Sequence, residues 1–278
     1  MYDNDTRDAV QHHLLLNANN TFLWVALVCQ HLADPKVRQH HTLAKFDAFP
    51  PGLNDLYGRM MSRISDLEDA KLCKRILAVV SVVYRPLTLD ELETFVDMPA
   101  SASLREIIEL CGSFLTLRNR IVSFVHQSAK EYLLKEAASD IFPPGEEHIQ
   151  HSIFSRSIQV MDKTLQQNIL NLDRPAILVN EIKPPDPDPL AAVRYSCVYW
   201  VGHLRLIPDH VLNYEKELSD NGPISTFFKG HFLHWLEVLG LIRRISESIS
   251  TIGILLAIVD VSHSLNSNPI SFIVSSEY

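Results

Sequence analysis

The segment FLTLRNRIVSFVHQSAKEYLLK, residues 114–135, decides the fold of this chain. The sequence before this segment has apolar residues at helical spacing, but the first half of the segment does not. It contains two short apolar runs, Phe114–Leu117 and Ile121–Val125, on either side of Arg118-Asn119-Arg120. Two such runs flanking a tight polar turn are typical of a β-hairpin. Its second half contains Ser128-Ala-Lys-Glu131, the pattern of a capping box, which predicts the start of a helix.

Helical patterns precede this hairpin. Leu53–Ile64 carries one apolar stripe, and Ser65–Glu68, another capping-box pattern, precedes a second amphipathic segment. Two further boxes, Thr88–Glu91 and Ser103–Glu106, predict two shorter helices. Helices followed by a β-hairpin follow the winged-helix plan, in which the hairpin edge is the wing. The sequence therefore predicts a winged-helix domain over residues 49–140.

The regions on both sides of this domain are predicted to be helical. Residues 1–48 contain two apolar helical segments, Thr6–Ala18 and Thr21–Ala33. Residues 141–278 contain a proline-rich loop, Lys183–Pro189, and four predicted helices: 146–170, 190–206, 224–245 and 249–265. The predicted fold class is mainly α, with a winged-helix domain that has a small β-hairpin and a helical bundle or superhelical domain.

The charge of the chain disfavours nucleic-acid binding. The 278 residues include 25 basic and 33 acidic side chains, a formal net charge of −8, and no block of lysines or arginines. The predicted helix Ser103–Leu110, which occupies the position that enters DNA in DNA-binding winged helices, has Arg105 as its only cation. Arg118 and Arg120 on the wing are too few to compensate. The pattern favours a winged helix that packs against protein.

No segment predicts an extracellular or membrane location. The four cysteines are far apart in sequence, which indicates neither a zinc ribbon nor a disulfide framework. The polar N-terminus does not have the pattern of a signal peptide. The longest apolar runs, Phe22–Cys29 and Ile252–Val261, are shorter than the roughly 20 residues that span a bilayer. We expect no membrane span and a cytoplasmic location.

The motifs of common enzymes do not occur in this sequence. There is no Gly-Lys dipeptide, and hence no GxxxxGK[ST] P-loop, and neither GxGxxG nor GxSxG is present. Ile254–Val259 followed by Asp260 resembles the apolar strand and carboxylate that hold magnesium in P-loop enzymes, although a plain buried helix is the favoured interpretation. We predict that the chain is not itself an enzyme.

Two groups of histidines have spacings that bear on metal binding. His148 and His151 follow two glutamates, while His231, His234 and Glu237 recur every third residue of a predicted helix. Neither group forms HExxH or supplies a third ligand in register. The favoured interpretation is histidines at partly buried helix edges, and we predict no metal site.

His126 lies at the predicted junction of the second hairpin strand and the following helix. The N-terminus of a helix has free N–H groups and partial positive charge, and so attracts phosphate. An imidazole there is placed to donate a hydrogen bond to a phosphate oxygen. Alternatively, the imidazole satisfies backbone groups at the strand-to-helix corner, and the local sequence alone favours this second interpretation.

The motifs together resemble one protein family. They resemble the part of NACHT-type signalling NTPases (NOD-like, STAND-class proteins) that follows the nucleotide-binding core, in particular the fungal vegetative-incompatibility proteins. These proteins share a winged-helix segment named after GPI inositol-deacylase. The matching motifs occur in family order through most of the chain: Asn20–Trp24, Phe49–Leu53, Arg85–Leu92, Phe124–Leu133, Tyr199–His203 and Phe232–Glu237.

This resemblance implies a nucleotide switch. In such proteins the winged helix folds back over bound ADP, and exchange for ATP opens the arm for oligomeric signalling. The histidine of an FxHxSxxE pattern contacts the phosphate, and Phe124-Val-His126-Gln-Ser128-Ala-Lys-Glu131 matches that pattern. The resemblance therefore implies that His126 and Ser128 are inherited nucleotide-sensing residues. It also assigns residues 1–48 to the C-terminal helices of a NACHT-associated helical domain, and 141–278 to a further helical domain.

Several parts of the family pattern do not occur in this sequence. The P-loop, the magnesium-binding strand and the sensor arginine would precede residue 1, so ADP or ATP is expected only if the chain is joined to a complete NACHT core. We therefore expect this chain to be a fragment of such a protein, a mis-split gene product or a degenerate relative.

Three functions follow from these observations. The first is a non-catalytic regulatory arm of a NACHT-type ATPase, with the NACHT core or full-length relatives as protein partners. The alternative is a stand-alone helical adaptor for protein–protein interaction. A winged-helix nucleic-acid binder is the least favoured of the three.

Overall fold

The computed structural model describes residues 52–173, 185–208 and 217–265, with side chains to 258, and the short pieces 11–12, 24–26, 28–29, 182 and 211–212. The described residues are mainly helical and include one small antiparallel sheet. The predicted mainly α fold with a winged helix is therefore confirmed. The two helices predicted before residue 34 lie largely outside the described residues.

In the part of the chain described from residue 52 onward, four helices precede the hairpin: α1 (Leu53–Ser65), α2 (Ala70–Val82), α3 (Leu89–Glu93) and α4 (Leu104–Leu110). The apolar stripe predicted on α1 is buried at Leu56, Tyr57, Met60, Met61 and Ile64. This burial is why α1 forms, since an apolar stripe at helical spacing stabilises a helix only when it is covered.

The predicted capping boxes differ in outcome. Thr88 caps α3, because its Oγ1 accepts from the Glu91 N–H at 3.2 Å while the Glu91 carboxylate accepts from the Thr88 N–H at 3.0 Å. The box predicted at Ser65 is wrong. Ser65 is the last residue of α1, and its hydroxyl donates to the Met61 carbonyl at 3.1 Å. A serine inside a helix bonds back to its own preceding turn and caps nothing.

The hairpin forms as predicted, with strands β2 (Leu115–Arg118) and β3 (Ile121–Phe124). Asn119 and Arg120 have φ values of 50° and 63°, as a tight hairpin turn requires. A third strand, β1 (Leu87–Thr88), lies before α3, and the sheet order is β1-β3-β2. Two residues are too few to produce a periodic pattern, so β1 was not predicted from the sequence.

After the hairpin, the described residues include the helices α5 (Gln127–Lys135), α6 (Ala138–Ile141), α7 (Glu146–Thr164), α8 (Arg194–Arg205), α9 (Pro223–Leu241) and α10 (Ile245–Leu265). The helix predicted over 224–245 ends earlier than expected. Arg243 has φ 59°, and the Arg244 N–H donates to the Leu239 carbonyl at 2.7 Å, which closes α9 before α10 begins. The residue with positive φ is an arginine, and the nearest glycine, Gly240, lies within α9, so the sequence pattern does not predict the position of this break.

The chain forms two compact units. The first contains the described residues of Met1–Leu77, Glu106–Thr116 and Phe124–Ile141, and the second those of Ala78–Arg105, Leu117–Ser123 and Phe142–Tyr278. The domain boundaries suggested above, at 48/49 and 140/141, stay predictions.

The core of the second unit is built from α7, α8, α9 and α10 around Trp200. Phe154 of α7 stacks on the Trp200 ring with centroids 6.2 Å apart. Trp235 of α9 donates from its indole nitrogen to the Cys197 carbonyl of α8 at 2.9 Å. Buried aromatic side chains of this size dominate the energy of a helical core, and they explain why these tryptophans lie on facing helices.

Candidate functional site

His126 lies between β3 and α5, in the first unit. Its backbone is extended, with φ −158° and ψ 153°, and it is the N-cap of α5. Its side chain is exposed. The predicted position of His126, at a corner between strand and helix, is therefore the position that it has in the structure.

The imidazole itself caps the helix. His126 Nδ1 accepts from the Ser128 N–H at 3.1 Å and lies 2.9 Å from the Ser128 hydroxyl oxygen. The predicted capping box of Ser128 and Glu131 is wrong, because α5 begins at Gln127 and Ser128 lies inside its first turn. The imidazole nitrogen takes the place of the Ser or Asp oxygen that usually accepts from the second N–H of a helix.

A third side chain joins this pair. The Tyr57 hydroxyl of α1 lies 3.0 Å from the Ser128 hydroxyl. Tyr57 is buried, and its ring packs on Phe114 and Tyr132 with centroids 5.6 and 5.4 Å away. In the sequence, Tyr57 belongs to the apolar stripe of Leu53–Ile64. Its contact with Ser128 was not predicted, because residues 71 positions apart in the chain have no local signal that joins them.

The site has the chemistry of a hydrogen-bond donor rather than of an anion hole. The Ser128 N–H donates to the imidazole, and the Ala129 N–H donates to the His126 carbonyl at 3.1 Å. Two of the amide groups at the start of α5 are therefore already bonded within the chain. An anion that approaches this corner meets the Nε2 edge of the exposed imidazole.

Two other motifs that carry the family resemblance meet in the second unit. The Arg85 guanidinium forms two bonds with the buried Glu91 carboxylate, from Nη1 at 2.8 Å and from Nη2 at 2.6 Å. It also lies over the Tyr195 ring, 5.3 Å from its centroid. Glu91, which is 1% exposed, thus completes both the capping box of α3 and an ion pair, and this pair raises the pKa of Arg85.

A buried histidine continues this cluster. The Tyr195 hydroxyl lies 2.7 Å from His203 Nε2, and His203 Nδ1 lies 2.5 Å from Gln150 Oε1. Because an amide oxygen only accepts, Nδ1 carries the hydrogen, Nε2 accepts from Tyr195, and the Tyr195 oxygen accepts from the Tyr84 N–H at 3.1 Å. Both nitrogens of His203 are used, and burial lowers its pKa to about 4.

Gly202 makes room for this cluster. A Cβ atom at Gly202 would lie 2.9 Å from the Tyr84 hydroxyl oxygen and 3.0 to 3.1 Å from its ring carbons. The Tyr84 ring packs on Tyr199 at 5.3 Å and edge-on to His203 at 5.1 Å. The close approach of the Tyr84 ring therefore explains why the Tyr199–His203 motif has glycine at position 202.

The histidines considered as metal ligands have other contacts. His151 Nε2 lies 3.4 Å from a Glu217 carboxylate oxygen, and His231 Nε2 lies 3.4 Å from Asp162 Oδ1. Glu237 accepts from the Asn168 N–H at 3.2 Å. Among the residues that the structure describes, no group of three or more His, Cys, Asp or Glu side chains is arranged to hold a metal ion.

The segment that resembles a magnesium-binding strand is helical. Ile254–Val259 lies within α10, so the favoured interpretation of a helix is correct, but Leu256 and Ala257 are exposed, so this part of the helix is not buried throughout. In the described part of the chain, no helix combines the length and the apolar character needed to cross a membrane.

Comparison with known proteins supports the resemblance. Residues 58–142 match the winged helix domain of GPI inositol-deacylase. The chain is 48% identical over 261 residues to vegetative incompatibility protein HET-E-1 of Podospora anserina. That alignment covers 87% of this chain but 19% of the relative, so the chain spans about a fifth of the length of the protein it matches.

No solved structure is significantly similar to the chain. Together, the fold and these matches confirm the resemblance that the motifs imply: over most of its length the chain is similar to a fungal vegetative incompatibility protein, and it contains a winged helix of the GPI inositol-deacylase type.

Proposed function

We propose that this chain acts as the non-catalytic regulatory arm of a NACHT-type ATPase, closing over a nucleotide that is bound by the core of such a protein. The observation that carries the proposal is the exposed imidazole of His126, held as the cap of α5 within the FxHxSxxE pattern. The similarity of most of the chain to HET-E-1 supports a fungal incompatibility context. The proposal includes a NACHT core or full-length relatives as the protein partners, and a cytoplasmic location for the chain.

The proposed contact is a hydrogen bond from His126 Nε2 to a phosphate oxygen of ADP. With Nδ1 occupied by Ser128, Nε2 is the ring nitrogen that remains for a ligand. The contact needs no charged imidazole, since a neutral ring donates from one nitrogen while it accepts at the other. In this proposal the chain senses nucleotide and performs no hydrolysis, consistent with a sequence that contains no P-loop motif.

Binding to an isolated nucleotide-binding core tests the proposal. The purified chain is titrated against a NACHT core from a relative, loaded either with ADP or with ATP, and binding is measured by calorimetry. We expect tighter binding to the ADP-loaded core and at least a tenfold loss with His126→Ala. The matched control is His148→Ala, which removes another exposed imidazole, next to Glu147 on α7.

Two results would contradict the regulatory role. One is equal binding of the wild type and His126→Ala to the ADP-loaded core. The other is magnesium-dependent ATP hydrolysis by the purified chain that His126→Ala abolishes, because that result would make the chain a catalyst.

The adaptor function is the second candidate, and large exposed apolar side chains on α9 and α10 favour it. Leu233 of α9 and Ile249 of α10 are 74% and 77% exposed, and Ile245 is 52% exposed. Large apolar side chains at such exposure mark contact surfaces when they lie together. For an adaptor, partner binding is expected to be independent of nucleotide, lost with Ile249→Glu and unchanged with His126→Ala.

A further inference from the structure

We propose that Tyr57 is a positioning residue for His126 and acts through the Ser128 hydroxyl, so that the imidazole is held with its hydrogen on Nε2. The arrangement follows from the geometry of this chain alone. Its use toward a phosphate oxygen rests on the function proposed above.

The direction of each hydrogen bond follows from one fixed donor. A backbone N–H only donates, so the 3.1 Å contact from the Ser128 N–H requires a lone pair on His126 Nδ1. The Ser128 hydroxyl, 2.9 Å from the same nitrogen, must then donate to it as well. Its oxygen is left to accept, and the Tyr57 hydroxyl at 3.0 Å is the donor.

The three side chains therefore form a directed relay from Tyr57 to Ser128 to His126. The two bonds share the one lone pair of Nδ1, and the neutral ring must carry its own hydrogen on Nε2. The same relay orients the ring, because both bonds to Nδ1 hold that edge against the first turn of α5. The exposed edge thus presents a single donor in one orientation.

Tyr57 is suited to begin such a relay because its ring is enclosed by other side chains. It is fully buried on α1, and its ring packs against Phe114 and Tyr132, which also pack on each other. Burial also raises the pKa of Tyr57, which keeps the phenol protonated and able to donate. A rigid donor at one end of a hydrogen-bond chain reduces the orientations available to the group at the other end.

Nitrogen NMR of the full chain tests this relay without any nucleotide. In protein labelled with ¹⁵N-histidine, we expect His126 Nδ1 at the shift of an unprotonated ring nitrogen and Nε2 at that of a protonated one. Tyr57→Phe keeps the ring but removes the donor. Loss of one hydrogen bond of about 1 kcal/mol corresponds to about a fivefold larger population of other ring orientations. That change is seen as a shifted, broadened Nδ1 signal.

A double-mutant cycle separates the relay from a general packing effect. If Tyr57 acts through Ser128, Tyr57→Phe has no further effect on the His126 signals in a Ser128→Ala background. The matched control is Tyr132→Phe, which removes a hydroxyl from the same aromatic group but from outside the relay. We expect the control to leave the His126 signals unchanged.

Three results would overturn the relay. They are a wild-type His126 with its hydrogen on Nδ1, a Tyr57→Phe variant with unchanged His126 signals, and equal effects of Tyr57→Phe and Tyr132→Phe. Failure of the proposed function would give a different result. The NMR signals of His126 would still respond to Tyr57→Phe, but His126→Ala would not weaken binding to the ADP-loaded core.

Discussion

His126 and His203 are each linked to a tyrosine hydroxyl, His126 through Ser128 and His203 directly to Tyr195. Their surroundings are opposite. Among the residues that the structure describes, exposed His126 is bonded through Nδ1, whereas buried His203 uses both of its nitrogens. A histidine with both nitrogens occupied holds a fold together, and one with a nitrogen left for solvent is available to a ligand. Both belong to motifs that carry the family resemblance, so the motif alone does not distinguish these roles.

The largest effect on stability is expected at His203, the histidine that we assign a structural role. His203→Ala removes a buried ring and leaves Tyr195 and Gln150 without their partner, so we expect the free energy of unfolding to fall by about 3 kcal/mol. Urea denaturation followed by circular dichroism measures this loss. A loss no larger than that of His126→Ala would break the comparison.

Acid pH is expected to have an effect of similar size. The pKa of His203 is about 4 in the folded protein and about 6.5 in the unfolded chain. Between these values the unfolded state binds more protons, so stability falls as the pH is lowered from about 6.5 to about 4, by up to about 3 kcal/mol. Above this window the contribution is fully present.

The measurement is the free energy of unfolding of wild type minus that of His203→Gln across this pH range. The subtraction removes the titration of all other groups. The wild type is expected to lose its advantage toward pH 4, and a constant difference between the two proteins would contradict the assignment.

Gly202→Ala is expected to lower the free energy of unfolding by less. This substitution tests the packing of the Tyr84 ring, which lies edge-on to His203. The new Cβ atom would lie 2.9 Å from the Tyr84 hydroxyl and must displace that half-exposed ring. Overpacking of this kind costs roughly 1–3 kcal/mol, offset by about 1 kcal/mol from the better helix propensity of alanine.

We expect a net destabilisation of about 1 kcal/mol for Gly202→Ala in thermal or urea unfolding. The matched control is Gly230→Ala in α9, where no atom lies within 4 Å of the added Cβ. That variant is expected to gain stability, and the opposite signs of the two substitutions are the result to check.

An effect on stability as small as that of Gly202→Ala is expected at His126. His126→Ala removes the cap of α5, which costs about 1 kcal/mol in urea denaturation. His126→Asp restores an acceptor for the Ser128 N–H but has no donor for a phosphate. We therefore expect His126→Asp to unfold like the wild type while it fails to bind the ADP-loaded core. If His126→Asp binds the ADP-loaded core as tightly as the wild type does, the proposed role of His126 Nε2 is wrong.

Prediction from sequence succeeded where the signal is local. The hairpin was visible because its two apolar runs and its turn are neighbours in the chain, and α1 was visible because its stripe is periodic. The capping-box pattern was less reliable. It is correct at Thr88, but Ser65 ends a helix, and Ser128 follows a histidine that caps in its place. Four residues specify the pattern, while the packing of whole helices decides where a helix begins.

The sequence by itself determined the fold class, the family resemblance and the place of His126 at a strand-to-helix corner. It did not determine that the imidazole is the cap, that Tyr57 reaches it through Ser128, or that Arg85, Tyr195, His203 and Gln150 form one cluster. The reason is physical. Periodicity and turn chemistry act over a few residues, and they do not show which of several neighbouring side chains will cap a helix. The contacts of Tyr57 with Ser128, Arg85 with Tyr195, and Gln150 with His203 join residues that are distant in sequence and approach one another only when the chain packs.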